Sequence, residues 1–348
     1  MILRVVKRPA RRLKRALQRL GFYLEVEFSP DSAIVTKKIY RDTGYQSCLL
    51  FCHFHPDGVI YDYTKRLCLF FESLGINVVF LSCHLTSESE EWLSQNVSSL
   101  IVRKNMGRDF GAWKDGIAFL KENNLYDACS ELYLINDSVF CITSYLDEVY
   151  FQKNFIQDKD TDFIGITESF QISYHLQSYC LKFNSRVIKS SEFQDFWNEF
   201  PLVNQKSQII EEGEIKLSRV LINAGFTYKA IYSFEYLLSI NTLANLFAIL
   251  YELQLSSAIV SKKIHEYIID EIFLLELTQV NPTHRYWLLL LTAKCPFIKR
   301  DLIRSNPERL FSAKLLVPII QHFLKDGDQE IRFILECLRS EFIPKSNG

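Results

Sequence analysis

The chain of 348 residues is 48% hydrophobic and 23% charged with a formal net charge of −1, an ordinary globular composition with core enough for one large domain or two. Near-neutral charge excludes a global attraction to nucleic acid, so an electrostatic partner has to be sought in a local cluster. The nine cysteines are scattered, odd in number and form no Cys-x-x-Cys pair, which points away from zinc and toward free thiols in a reducing cytosol.

Residues 1–20 hold Arg4, Lys7, Arg8, Arg11, Arg12, Lys14, Arg15 and Arg19 and no acid. Pro9 suits the opening of a helix with Ala10, Leu13, Leu17 and Leu20 on one face and Arg11, Arg12, Arg15 and Arg19 mostly on the other. A basic amphipathic segment over 1–24 therefore suits an anionic membrane surface, where each basic residue contributes roughly 1 kcal/mol; the alternative is a frayed basic tail. Nucleic acid fits less well, because no aromatic reader stands among the charges before Phe22. The N-terminus lacks the apolar centre of a signal peptide, and no run of about 18 apolar residues occurs, so a cytoplasmic chain that does not span the membrane is expected.

From residue 47 to 183 strand-like and helix-like patterns alternate, which predicts an α/β layer architecture. The expected strands are Ser47 to Phe54, Ile76 to Ser82, Ser99 to Arg103, Glu131 to Ile135, Asp162 to Thr167 and Leu176 to Phe183. Tyr63, Leu67, Phe70, Phe71 and Leu74 form a helical face that Gly75 ends. His53 to Gly58 make a loop at the carboxyl end of the first strand, where His53 is either a ligand contact or a solvated loop residue and a metal role is disfavoured. Gly107 and Gly111 flank Arg108-Asp109 and let backbone approach a ligand closely. The helix Gly111 to Glu122 follows, with Trp113, Ile117, Ala118 and Leu120 inward and Trp113 read as core. Asn136, Asp137 and Ser138 fall just beyond the next strand, where open α/β sheets bind ligands; capping of a following helix is the structural alternative.

Arg186 to Trp197 continue as one helix. Glu211-Glu212-Gly213-Glu214 precede a helix through Ile215, Leu217, Val220 and Leu221 that Gly225 ends, with strand-like Phe226 to Ile231 after it. Three acids at a helix start are ordinarily dipole partners. Residues 236–260 are apolar, and Tyr236 to Tyr251 carry no charge; with Ser239, Asn241, Thr242 and Asn245 inside, the stretch reads as a buried helix rather than a span, with shallow membrane contact as a third reading. Two amphipathic patterns from Ala313 to Phe342 form a C-terminal helical extension over 311–348.

Several motifs stand in order: Phe51 to Gly58, Asn105 to Gly116, Tyr126-Asp127, Asn136-Asp137-Ser138, His175 to Tyr179, Asn281 to His284, and Pro296 to Arg300. Across roughly residues 45 to 310 this succession resembles the rhamnan synthesis protein F family, and several motifs in sequence are far more specific than any one. The resemblance implies an α/β, GT-A-like glycosyltransferase domain over 45–310, a mixed sheet flanked by helices with extra C-terminal helices. It implies work at the inner face of a bacterial plasma membrane, moving L-rhamnose from dTDP-L-rhamnose to a lipid-linked surface-polysaccharide acceptor. The sugar's identity rests on the resemblance alone.

Transfer from a nucleotide sugar needs the leaving diphosphate neutralised, the anomeric carbon held, and an acceptor hydroxyl deprotonated as it attacks. The resemblance places Asn136-Asp137-Ser138 where GT-A enzymes carry Asp-x-Asp, so Asp137, helped by Asn136 or Ser138, is the candidate ligand of Mg²⁺ or Mn²⁺. Arg108 is a candidate diphosphate clamp and Asp109 an acceptor of hydrogen bonds from base or sugar, with His53, Asn105 and Gly107 beside them in donor binding; a buried Arg108–Asp109 ion pair is the competing reading. His175 and Gln177, on one side of a strand, are candidates for sugar or acceptor hydroxyls. His284 is a weaker candidate, with a structural role ahead of it. Glu214 resembles the acid that opens the last core helix of inverting GT-A enzymes and is the candidate base, with Glu211 and Glu212 as alternatives. The opposing function class is a glycan-assembly partner that keeps the fold without chemistry, motivated by the single carboxylate of Asn136-Asp137-Ser138.

Overall fold

A computed structural model describes residues 30–41, 44–256, 270 and 280–310. The expected basic segment 1–24, the end of the apolar stretch beyond Ser256 and the extension 311–348 lie outside the described residues. The strands in chain order are β1 (Ile34–Ile39), β2 (Ser47–His53), β3 (Asn77–Ser82), β4 (Ser99–Arg103), β5 (Glu131–Asn136) and β6 (Val139–Cys141). They continue with β7 (Phe163–Gly165), β8 (Glu168–Ser169), β9 (His175–Leu176), β10 (Cys180–Asn184), β11 (Tyr228–Ala230) and β12 (Phe297–Lys299).

Eight of them form one mixed sheet in the order β1-β4-β3-β2-β5-β10-β7-β11. β2, β3, β4 and β5 run parallel, β10 is antiparallel to both β5 and β7, and β1 closes one edge antiparallel to β4. Successive residues point to opposite faces, and both faces are covered. Leu49, Phe51, Val78, Phe80, Tyr133 and Ile135 enter one core, while Cys48, Leu50, Val79, Leu81, Leu132 and Leu134 enter the other. This is why these strands read as unbroken apolar runs. The helix Asp62–Ser73 packs on the first core through Tyr63, Leu67 and Phe71. The helix Arg108–Glu122 packs on the second through Phe110, Trp113, Ile117 and Leu120. Trp113 is fully buried and donates its indole N–H to the Leu50 carbonyl over 3.2 Å, so it is core.

The chain steps outward from β2 to β3 to β4 and then returns to place β5 on the other side of β2. The carboxyl ends of β2 and β5 thus diverge at a topological switch point, which opens a crevice between their following loops.

Five expectations change. The apolar stretch read as a buried helix forms the helix Ile240–Ser256, along which Asn241, Phe247 and Tyr251 are exposed. β1 precedes residue 45, and its exposed Val-Thr-Lys-Lys-Ile run offers no apolar alternation to detect. The expected Leu176 to Phe183 strand is broken into β9 and β10, because the Gln177 and Ser178 N–H groups donate to the Thr167 carbonyl and the Glu214 carboxylate. The expected Arg186 to Trp197 helix is two helices, Ser185–Ile188 and Ser191–Glu199, each with its own cap from Asn184 and Ser190. The helix expected from Gly111 starts at Arg108. Among the described residues no helix is long and apolar enough to cross a membrane.

Arg103, at the end of β4, and Asp115, on the Arg108–Glu122 helix, form an ion pair at 2.8 Å with each side chain 1% exposed. Arg103 Nη2 also donates to the Met106 carbonyl over 2.6 Å, and Asp115 accepts from Ser32 Oγ over 2.8 Å. One pair therefore fixes strand, helix and the turn between them. Asp115→Ala strands a buried guanidinium and should lower the unfolding free energy by about 3–5 kcal/mol, read from the urea midpoint; a wild-type midpoint would show that the pair is dispensable.

Candidate active site

At the switch point lies a cleft of about 660 Å³. Its walls are the ends of β2 and β5, the start of the Arg108–Glu122 helix, the helical segment around Glu214, and Lys299-Arg300 after β12.

The first wall depends on backbone that few residues accept. Gly107 and Arg108 have φ of 71° and 50°, consecutive left-handed residues that Gly tolerates and Arg does not favour. A Cβ on Gly111 would stand 2.4 Å from the Met106 carbonyl oxygen. The turn is held by Asn204, whose Oδ1 accepts from the Gly107 N–H and whose carbonyl accepts from Arg108 Nε, both over 3.0 Å. Asp109 instead faces the strand wall and accepts from Asn136 Nδ2 over 2.7 Å. Arg108 and Asp109 thus bond different partners, and the buried ion pair of this region is Arg103–Asp115. Desolvation pushes the Asp109 carboxyl up, the nearby Glu214 charge adds to this, and Lys299 opposes it. Asn105 is exposed on the cleft's rim.

In the second wall, Asn136 Oδ1 accepts from both the N–H and the hydroxyl of Ser138. β6 follows directly, so these residues do not cap a helix. Asp137 Oδ2 accepts from the Phe54 N–H over 2.9 Å and lies 3.5 Å from Arg300 Nη1, which donates to the Asp137 carbonyl over 3.0 Å. Desolvation raises the Asp137 carboxyl and Arg300 is the largest opposing influence.

This arrangement does not fit the expected Mg²⁺ or Mn²⁺ at Asp137. One carboxylate oxygen, Oδ2, already holds a backbone N–H with a guanidinium beside it, and the Asn136 amide is committed at both ends. Among the described residues no group of three or more His, Cys, Asp or Glu is placed to hold a metal ion.

Lys299 and Arg300 were not foreseen as site residues. β12 pairs antiparallel with β6, setting Lys299 opposite Val139, and so carries two cations to the tip of the Asn136 to Ser138 wall. Lys299 Nζ donates to Ser138 Oγ over 2.8 Å and stands 5.5 Å above the Tyr179 ring. Desolvation lowers its pKa, while Glu214 and Asp109 raise it. Arg300 lies over the rings of Tyr61 and Phe140 at 5.9 and 5.8 Å. The signal was present in the sequence, since Pro296 to Arg300 is one of the ordered motifs.

Glu214 does not open a helix. Lys206–Ile209, a π-helical turn Ile210–Ile215 and Lys216–Asn223 run on without leaving helical backbone, and Glu214 sits inside the widened turn. π-turns are rare and recur at functional sites. Gly213 lets this turn lie on Phe110, since a Cβ there would meet the ring at 2.9 Å. Glu214 Oε1 accepts from the Ser178 N–H over 2.6 Å, and Oε2 is 3.9 Å from His175 Nε2. Of the three acids it alone lines the cleft; Glu211 is exposed and Glu212 faces Lys216 at 3.5 Å.

The histidines divide. His175 stands behind Glu214 with Nδ1 donating to the Ser173 carbonyl over 2.9 Å, and it does not line the cleft. Gln177 does line it, accepting from Thr167 Oγ1 over 2.8 Å and donating to Asn281 Oδ1 over 3.3 Å. The break after β9 separates the two. His284 also lines the cleft: Nδ1 is 3.7 Å from Glu308 Oε1, and Nε2 is buried with no hydrogen-bond partner among the described residues. His53 reaches the cleft but uses both ring nitrogens on protein, Nε2 donating to the Val59 carbonyl over 3.1 Å and Nδ1 lying 3.0 Å from Ser82 Oγ. It holds the loop after β2.

The family described as Rhamnan synthesis protein F matches residues 78–251, half of the chain. An uncharacterized protein of Sinorhizobium fredii, y4gN, is 31% identical over 169 residues, covering 47% of this chain and 43% of that one. The chain therefore spans less than half of that relative. Virulence protein VirA of Vibrio anguillarum is 26% identical over 278 residues, 79% of this chain and 85% of its own. Among solved structures, the mannosyltransferase PcManGT from Pyrobaculum calidifontis in complex with GDP-Man and Mn²⁺ covers 94% of this chain and 88% of its own at 9% identity. Its TM-score is 0.30, too low for an inference to rest on it.

Burial pushes the His53 imidazole down from 6.5 to about 4. The unfolded chain then binds the proton first as pH falls, so this group contributes stability above about 6.5 that is lost on acidification toward about 4. At about 1.36 kcal/mol per pH unit the full loss is about 3 kcal/mol. The stability gap between wild type and His53→Asn should narrow by that amount across the window in urea titrations at stepped pH; parallel curves would show that His53 is not held neutral.

Proposed function

This chain belongs to the rhamnan synthesis protein F family, and on that premise we propose that it is a GT-A-like inverting glycosyltransferase. It moves L-rhamnose from dTDP-L-rhamnose to a lipid-linked surface-polysaccharide acceptor. The observation that carries this reading is Glu214, a carboxylate in the switch-point cleft with one oxygen fixed by the Ser178 N–H and the other on the His175 side. Such a group can take a proton at a defined point above the donor site.

The acceptor oxygen attacks the anomeric carbon as the bond from that carbon to the diphosphate oxygen breaks. The hydroxyl proton passes to Glu214, and the nucleoside diphosphate leaves. Arg108, exposed at the rim, binds phosphate oxygens. Asp109, Asn105 and Asn136 supply hydrogen bonds to base and sugar hydroxyls, and the left-handed Gly107 turn brings backbone close to the donor. Gln177 and His284 face the sugar or acceptor side. His175 positions Glu214 rather than touching substrate.

A lipid-carried acceptor requires access to a membrane surface, for which the basic residues 1–20 are the proposed contact on the cytoplasmic face. Deleting residues 1–20 should weaken binding to vesicles containing anionic lipid, with roughly 1 kcal/mol lost for each basic residue that reaches the surface; unchanged sedimentation with vesicles would remove that role.

The reading of an inactive assembly partner draws on the commitment of Asp137 to Arg300 and Phe54. Activity separates the two. With dTDP-L-rhamnose as donor, Glu214→Gln should cut kcat about 10²–10⁴-fold with melting temperature and donor KM little changed. Retained transfer would clear Glu214 of the base's role, and a wild-type protein whose melting temperature responds to no nucleotide sugar would favour the inactive partner.

A further inference from the structure

We propose that Lys299 and Arg300, carried into the cleft on β12, neutralise the donor's diphosphate in place of a divalent metal, so that nucleoside diphosphates bind to this protein without one. The proposal rests on the glycosyltransferase reading above and goes further, because it names what compensates the leaving group.

Two of the oxygen atoms that would ligate a metal, Asp137 Oδ2 and Asn136 Oδ1, are already engaged. Asp137 Oδ2 holds the Phe54 N–H with Arg300 Nη1 beside it. Asn136 gives its oxygen to Ser138 and its amide nitrogen to Asp109. Asp109, Glu214 and Asp301, the other carboxylates lining the cleft, all lie within electrostatic reach of Lys299, and Asp301 also pairs with Lys206 at 3.6 Å. Each acid that could attract a divalent ion thus already has a protein cation acting on it, and a further double positive charge would be set against like charges in the same cleft.

The two cations are also built in rather than draped on the surface. The Arg300 N–H donates to the Ser138 carbonyl over 2.9 Å, continuing the β6–β12 pairing up to the cleft. Arg300 is 8% exposed and lies between Tyr61 and Phe140. Lys299 makes its hydrogen bond to Ser138 Oγ, and an ammonium has three donors, which leaves N–H groups for phosphate oxygens. A negatively charged diphosphate entering here meets preorganised positive charge at the switch point, where negative charge grows as the sugar leaves.

Calorimetric titration of the full chain with dTDP, UDP and GDP, each in EDTA and again in saturating Mn²⁺, tests this. At least one should bind with the same affinity in both. Lys299→Met should weaken that binding roughly tenfold or more, the loss of a charge-assisted hydrogen bond, while Lys299→Arg recovers most of it. Arg300→Met should act likewise; if loss of its brace on Asp137 unfolds the protein, Lys299→Met in a chain with wild-type circular dichroism carries the test. Binding that appears only with Mn²⁺, or full-strength binding to a folded Lys299→Met, overturns the proposal and leaves the glycosyltransferase reading standing. No binding of any diphosphate under either condition overturns both.

Discussion

One hydrogen bond joins the two halves of the cleft: Asn136 Nδ2, at the end of β5, donates to Asp109 Oδ2, at the start of the Arg108–Glu122 helix, over 2.7 Å. From Asn136 the connections run to Ser138 and through Ser138 Oγ to Lys299. From Asp109 they run by charge to Glu214 and Lys299. Polar groups that are partly withdrawn from water have to be satisfied by one another, and here that requirement recruits residues from four separate parts of the chain into one network. The topology makes it possible, because the ends of β2 and β5 diverge at the point where strand order reverses and leave room for side chains between them.

The same network is supported by backbone that is costly elsewhere. A left-handed arginine and a close glycine pair hold the turn before the helix, and a π-turn interrupts the helix that bears Glu214. These departures from regular backbone are stabilised from outside: Asn204 brackets Gly107 and Arg108, while Phe110, stacked on Trp197 with centroids 5.8 Å apart, provides the surface on which Gly213 rests. Strained or irregular backbone persists where surrounding packing over-determines it, and it clusters at sites of function. Phe110 is one residue from Asp109, so the core contact that seats the π-turn also fixes the position of the opposite wall.

Much of the fold was legible. β2, β3, β4 and β5 are apolar runs because both faces are buried, and their limits could be read to within a residue or two. The Gly107 to Gly111 spacing and the polar triplet after β5 likewise marked two walls of the cleft. What escaped detection shares a physical cause, which is dependence on partners distant in sequence. β1 is an exposed edge whose pairing is with β4 alone. The break between β9 and β10 exists because Glu214 takes the Ser178 N–H, and the helix that the sequence opens at Glu214 in fact runs back through a π-turn to Lys206. Pro296 to Arg300 stood out as a motif, but the place of Lys299 and Arg300 in the cleft follows from a short strand pairing between Phe297–Lys299 and Val139–Cys141, about which neither segment's own sequence says anything.

The charges of the cleft are mutually dependent. Desolvation pushes Lys299 toward its neutral form and Asp109 toward its protonated form, and each opposes the change in the other. The Asp137 carboxyl is likewise pushed up by desolvation, with Arg300 as the largest opposing influence. Removing one member of such a set leaves its partner uncompensated in a poorly solvated place, which costs more than the pair itself contributes. An anionic ligand alters this balance in one direction only: it adds negative charge beside Lys299 and Arg300, and so favours the charged form of Lys299. Under the proposed diphosphate binding, the ligand's negative charge joins the internal pairs and matches Lys299 and Arg300, which is the differential a donor site needs in order to prefer its ligand over water.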